Sequence, residues 1–217
     1  MGETVRGKRA GRQSARVAEE TRREIVDAAL EVFADVGFEG ASLREIAARA
    51  GTTHGLVRHH FGSKDGVWHA VVDAANAEYW SALAPLIARG VEHDAALGTV
   101  KEVLRSIILV AARHPQTVRL LMHEGVKGGA RLDYILGRIA PQRTLMDPLY
   151  LEVRRRGFLG RFDNEAFFLF VLTAGAMPFA LAGLTGRLYG ADVLSEEQAG
   201  LHADRIIATV FGGQPTG

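Results

Sequence analysis

The sequence predicts an all-α chain: an N-terminal three-helix domain containing a helix-turn-helix, followed by a larger helical bundle. Three observations carry this. Apolar residues recur at the three-and-four spacing of helices with one buried face, caps, glycines and prolines punctuate that pattern at helix-length intervals, and no convincing strand run interrupts it. At 217 residues, 47% hydrophobic and 24% charged, the chain has ordinary globular composition with room for a small module and a larger one.

Residues 1–18 are expected to form a disordered basic arm. Up to Arg23 the chain carries Arg6, Lys8, Arg9, Arg12, Arg16, Arg22 and Arg23 against Glu3, Glu19 and Glu20, with few large apolar residues. The net charge of only +1 therefore conceals a local positive potential. From Glu20 the spacing of Ile25, Ala28, Ala29, Val32 and Phe33 predicts the first helix, which Gly37 stops. Ser42 to Glu45 forms an S-x-x-E capping box, so a short second helix begins at Leu43 and runs to Gly51. Thr52-Thr53 caps a third helix, His54 to His60, which Phe61-Gly62 ends. Two short helices across a tight glycine turn are the pattern of a helix-turn-helix, with Ile46, Val57 and Phe61 as core.

Ser63 caps a long fourth helix through Trp68, Val71, Val72 and Tyr79 to Pro85 or slightly beyond. Further helices are expected near 95–113, 115–126, 129–156, 164–187 and 195–212, with Pro178 kinking the one it occupies. Ser195 to Gln198 supplies the last of them with a second capping box. The expected domains are 19–65 for the helix-turn-helix and 66–217 for regulation.

With no cysteine, disulfides, thiolate metal sites and thiol nucleophiles are excluded. The basic N-terminus precedes no apolar segment and so is not a secretory signal, which points to the cytoplasm. Residues 166–186 lack any charge over 21 positions, nearly enough to cross a bilayer; their small residues equally suit a buried soluble helix. His54, His59, His60 and His69 lack the i, i+4 spacing that converges on one ion, so neither metal nor cofactor is expected. The motifs G-x-S-x-G, Walker A, G-x-G-x-x-G and H-E-x-x-H are all missing, which argues against an enzyme.

Over Thr21 to Val72 the chain resembles the TetR family of transcriptional regulators. The resemblance rests on T-x-x-x-I-x-x-A-A-x-x-x-F from Thr21 to Phe33, Gly37-Phe38, S-L-R-E-I-A-A-R-A-G from Ser42 to Gly51, His59-His60-Phe61, and Ser63-Lys64. It departs from the family at Arg58, where an aromatic is usual, and at Leu56, where a small residue is common. The operator sequence is therefore not transferable.

The resemblance implies a homodimeric repressor that a small-molecule effector releases from a double-stranded DNA operator. The late helices 164–187 and 195–212 would form its dimer interface, and the fourth helix would carry the effector's signal. Recognition helices enter the major groove with their N-terminal halves at base edges. Thr53, His54, Gly55 and Leu56 are accordingly the expected base-facing set, and Arg58 and His59 suit the phosphate backbone, with a bidentate guanine contact open to Arg58. Ser42, Arg44 and Lys64 resemble the family's phosphate clamps. Met122, His123, Tyr134, Met146, Tyr150, Phe168 and Met177 are candidates for an effector pocket but read equally well as core, so no effector contact is assigned. Two other readings stand beside this one: a small-molecule-binding protein with a vestigial helix-turn-helix, and a membrane-attached regulator using 166–186.

Overall fold

The computed structural model describes residues 3–92, 96–160 and 162–212, with side chains from residue 15 onward except 90–95. Within these residues every regular element is helical. The chain divides into two compact units, Met1–Ala74 and Ala75–Gly217.

In the first unit α1 spans Glu3–Gly40, with helical geometry broken at Gly37 (φ 70°, ψ 175°), where the sequence places the stop. The N-terminal segment is a departure from expectation. Instead of a disordered arm over 1–18, the helix extends back to Glu3. Residues 3–18 contain no proline and carry four Arg and three Ala, so a helix already nucleated further along extends into them. The side chains of Arg6, Lys8, Arg9 and Arg12 lie outside the described residues.

Helix α2 (Leu43–Arg49) starts at Ser42, whose Oγ accepts from the Glu45 N–H at 3.1 Å. Helix α3 (His54–Phe61) starts at Thr53, whose Oγ1 accepts from the Leu56 N–H at 3.2 Å. Each cap satisfies one of the N–H groups that a helix start leaves unpaired. Gly51 makes the turn between them with φ 63°, a left-handed conformation that a Cβ would strain. Helix α4 (Lys64–Glu92) begins at Ser63, which accepts from the Gly66 N–H, and continues past Pro85 for seven residues beyond the earliest expected end. Ile25, Ala29, Phe33, Ile46, Val57, Val67 and Trp68 are all enclosed in this unit, and Phe38 stacks on Phe33 at 5.8 Å. Phe61, expected in the core, is only half-buried at the end of α3, where the Arg22 guanidinium covers its ring at 5.1 Å.

The second unit is organised around α5 (Ala96–Arg113), which packs against α6 (Pro115–Lys127), α7 (Ala130–Arg155) and α11 (Glu196–Phe211). Ile108, Ala111, Val153 and Ala203 are wholly enclosed there. The expected single helix over 164–187 is instead α8 (Asn164–Phe170), a π-helical segment Val171–Ala176, α9 (Met177–Ala180) and α10 (Ala182–Tyr189), bent by 82° between α9 and α10.

Proline explains the first irregularity. Pro178 has no N–H for the Ala174 carbonyl, and its ring crowds the preceding turn, so the helix widens there. His202 of α11 meets the consequence: its Nε2 lies 3.0 Å from the Ala174 carbonyl and 3.1 Å from that of Gly175, and donates to them. Thr185 donates to the Pro178 carbonyl across the bend. No single helix among the described residues is long and apolar enough to cross a membrane.

Candidate nucleic-acid interface

Helix α3 is short, and a single buried residue fixes its orientation. Val57 is enclosed, so at 100° per residue the opposite side carries Gly55 and His59, flanked by Leu56 and Arg58. All four are exposed, as is Thr53 at the cap, while His54 is half-buried. The structure thus gathers Gly55, Leu56, Arg58 and His59 on one solvent-facing side, whereas His54 is half-buried on the side of Val57. It also moves His59 into the centre of that side, one turn after Gly55, where the sequence reading had assigned it to the backbone-contacting edge.

Gly55 has an ordinary helical conformation, and a Cβ built on it would meet nothing nearer than Thr53 Oγ1 at 3.9 Å. Neither packing nor backbone strain in the fold calls for glycine here. Leu56 is 36% exposed, an aliphatic group presented to solvent on an otherwise polar surface. Ser42 and Arg44 are exposed at the start of α2. Among the described residues no carboxylate pairs with Arg44 or Arg58, so both guanidinium groups are available to an anionic partner. Arg49, by contrast, bridges Glu31 and Asp35 of α1 at 3.4 and 3.3 Å.

Lys64, an expected phosphate clamp, has protein partners of its own. Its ammonium is half-buried and donates to the carbonyls of Phe38 (2.8 Å) and Ala41 (3.0 Å) while lying 4.4 Å from the centre of the Phe38 ring. It therefore ties the start of α4 to the corner before α2. Sequence reasoning had no signal for this, because both acceptors are main-chain atoms, 26 and 23 residues away. Of the candidate effector-pocket residues, Tyr150 is buried and donates its hydroxyl to the Phe162 carbonyl, which makes it a core strut. The other six are half-buried.

The sequence model described as "Bacterial regulatory proteins, tetR family" matches residues 25–71, from the core of α1 through α2 and α3 into α4. Residues 25–71 carry the sequence pattern of the tetR family. Among curated relatives, the HTH-type transcriptional regulator SrpR of Pseudomonas putida is 51% identical over 61 residues, 28% of this chain and 29% of SrpR. The HTH-type transcriptional regulator RutR of Escherichia coli (strain K12) is 34% identical over 125 residues, 58% of this chain and 57% of RutR. These matches span well under two thirds of each relative's length. The structure of AibR in complex with isovaleryl coenzyme A and operator DNA superposes with a TM-score of 0.62 at 18% identity, covering 89% of this chain and all of that one. That likeness extends the tetR-type fold, an N-terminal helix-turn-helix domain and a helical domain behind it, through the second unit.

Proposed function

We propose that the protein is a sequence-specific DNA-binding repressor, acting as a cytoplasmic homodimer without enzymatic activity and released from its operator by a small-molecule effector. The observation that carries the reading is the outward side of α3, where Gly55, Leu56, Arg58 and His59 stand exposed around a helix anchored only by Val57. The glycine admits close approach to base edges, the leucine suits a thymine methyl, and Arg58 suits guanine or phosphate. Ser42, Arg44 and Thr53 add phosphate contacts that fix register, at positions where helix N-termini also favour anions. Residues 19–65 would be the reading head and 66–217 the regulatory and dimerising domain.

A dimer suits this reading, since paired recognition helices meet successive major grooves roughly 34–36 Å apart. The second unit supports it with exposed apolar side chains on the two segments expected to pair: Leu169, Leu181, Leu184, Leu188 and Tyr189 on α8 to α10, and Leu201 on α11. The effector acts by preferring the arrangement that does not bind DNA, and its differential affinity sets the shift. AibR, a protein of the same fold crystallised in complex with isovaleryl coenzyme A and operator DNA, supports reading the chain as a binder of both DNA and a small molecule.

The deciding experiment titrates the purified protein against DNA from upstream of its own gene and against scrambled DNA at several salt concentrations. Salt-sensitive binding that strongly prefers the native fragment, with an even number of subunits per site, is expected. If neither the native fragment nor any sequence selected from random DNA is preferred over scrambled DNA, the reading head is vestigial and the proposal fails.

A further inference from the structure

Among the described residues, Glu124 is the one fully enclosed charged side chain, with 0% of its surface exposed. It lies on α6, and its Oε2 accepts a hydrogen bond from Arg131 Nε of α7 at 3.0 Å. The backbone builds that contact. Gly128 (φ 68°, ψ −163°) and Gly129 (φ 80°, ψ −165°) adopt conformations essentially closed to residues with a Cβ, and the turn they make returns Arg131 to Glu124. Oε1 is equally buried and accepts no hydrogen bond from any described residue. Enclosing a carboxylate with one oxygen unserved is costly, and well-packed apolar residues in place of such a pair are often neutral or stabilising. Stability alone therefore does not account for Glu124.

We propose that Glu124 Oε1 is the polar anchor of a small-molecule site in the second unit, and that its ligand is a largely apolar molecule presenting one hydroxyl or N–H donor. The chemistry follows from the pair. Arg131 already balances the carboxylate, so a cationic ligand would leave an enclosed net charge and an anionic one would face Oε1 with like charge. A neutral donor satisfies the oxygen without either penalty. One turn before Glu124, on the same side of α6, is the enclosed aliphatic Leu120. This assignment rests on the reading of the second unit as ligand-responsive.

The test uses the full-length chain and matched probe pairs, indole against N-methylindole and thymol against its methyl ether, with affinities measured by calorimetry. The donor-bearing member of each pair is expected to bind about tenfold tighter or better, the worth of one hydrogen bond to a charged group. In E124Q the carboxamide oxygen keeps Arg131 while its NH2 replaces Oε1, so the preference collapses. E124L/R131M loses the preference too, yet melts at the same or a higher temperature without probe. Equal affinity within pairs, failure of all four probes to bind, or a preference that survives in E124Q overturns the proposal. Operator titration of the same samples separates the two readings: loss of DNA specificity with intact donor preference defeats the repressor alone, and the reverse defeats the Glu124 site alone.

Discussion

Once α3 has buried Val57, it leaves outside Thr53, Arg58 and His59, with Leu56 as its one large exposed apolar residue. Along α8 to α10 the exposed residues include Leu169, Leu181, Leu184, Leu188 and Tyr189, and Leu188 is 74% exposed. α3 encloses Val57, and the stretch between α8 and α10 encloses Val171, Phe179 and Ala180 while α8 and α10 themselves enclose nothing, so the contrast lies in what each segment leaves exposed. A charged, hydrated polymer is met by cations, donors and a glycine that lets it come close. A protein surface is met by aliphatic area whose removal from water drives association at roughly 25 cal/mol per Å². On the proposed function these are two interfaces, one for DNA and one for a second copy of the chain, distinguished by their surface chemistry.

The contrast breaks first if the aliphatic side of α10 is not an interface. Leu184→Glu combined with Leu188→Glu is expected to give a folded monomer by sedimentation velocity, with operator affinity reduced about 10²–10⁴-fold through loss of bivalency. A persistent dimer would remove the second interface. Ile46→Ala, in the enclosed core beneath α2 and α3, is expected to destabilise the first unit by about 2–5 kcal/mol in denaturant titrations while leaving the dimer assembled.

Lys64→Met tests whether that residue belongs to the DNA-facing surface at all. It should lower stability by about 1–3 kcal/mol, because the Phe38 and Ala41 carbonyls lose their donor. A direct phosphate contact would instead reduce the salt dependence of binding by about one unit of slope with little change in melting temperature. Arg58→Ala is expected to weaken operator binding by about 1–3 kcal/mol and relax preference at one base pair, with the dimer intact; unchanged affinity and preference would exclude it from the interface.

Gly55→Ala is the smallest and sharpest change. An exposed helical glycine with open space at its Cβ position should gain about 0.5–1 kcal/mol of stability on becoming alanine, while operator affinity falls. Opposite signs in melting temperature and affinity would show that glycine is kept for the partner; a gain in both would show that it is not.

Much of the first unit was legible because its signals are local. Ser42, Thr53 and Ser63 each cap a helix by accepting from an N–H three residues on, a relation printed in the sequence itself. The orientation of α3 followed from Val57, expected in the core and enclosed there while its aliphatic neighbour Leu56 stays exposed. The helical arm was misread because basic composition predicts solvation as well as it predicts helix, and only continuity with a formed helix separates them. In the second unit the bend escaped a reading that located Pro178 correctly. Proline marks which carbonyl loses its donor, but the sharp turn falls after Ala180 and is held by Thr185 on its far side.

What the sequence determined by itself, then, was the helical fold class, the caps, the glycine stops and the side of α3 that faces out, all consequences of periodicity and of contacts within about one helical turn. What only the tertiary structure decided were contacts between residues far apart in the chain. Lys64 turns inward because two carbonyls from the corner before α2 converge on it. His202 serves the carbonyls beside Pro178 from another helix, and Glu124 is enclosed where an amphipathic pattern would leave a carboxylate in water. A side chain's polarity says that it needs partners, whereas the fold decides whether those partners are protein, solvent or ligand.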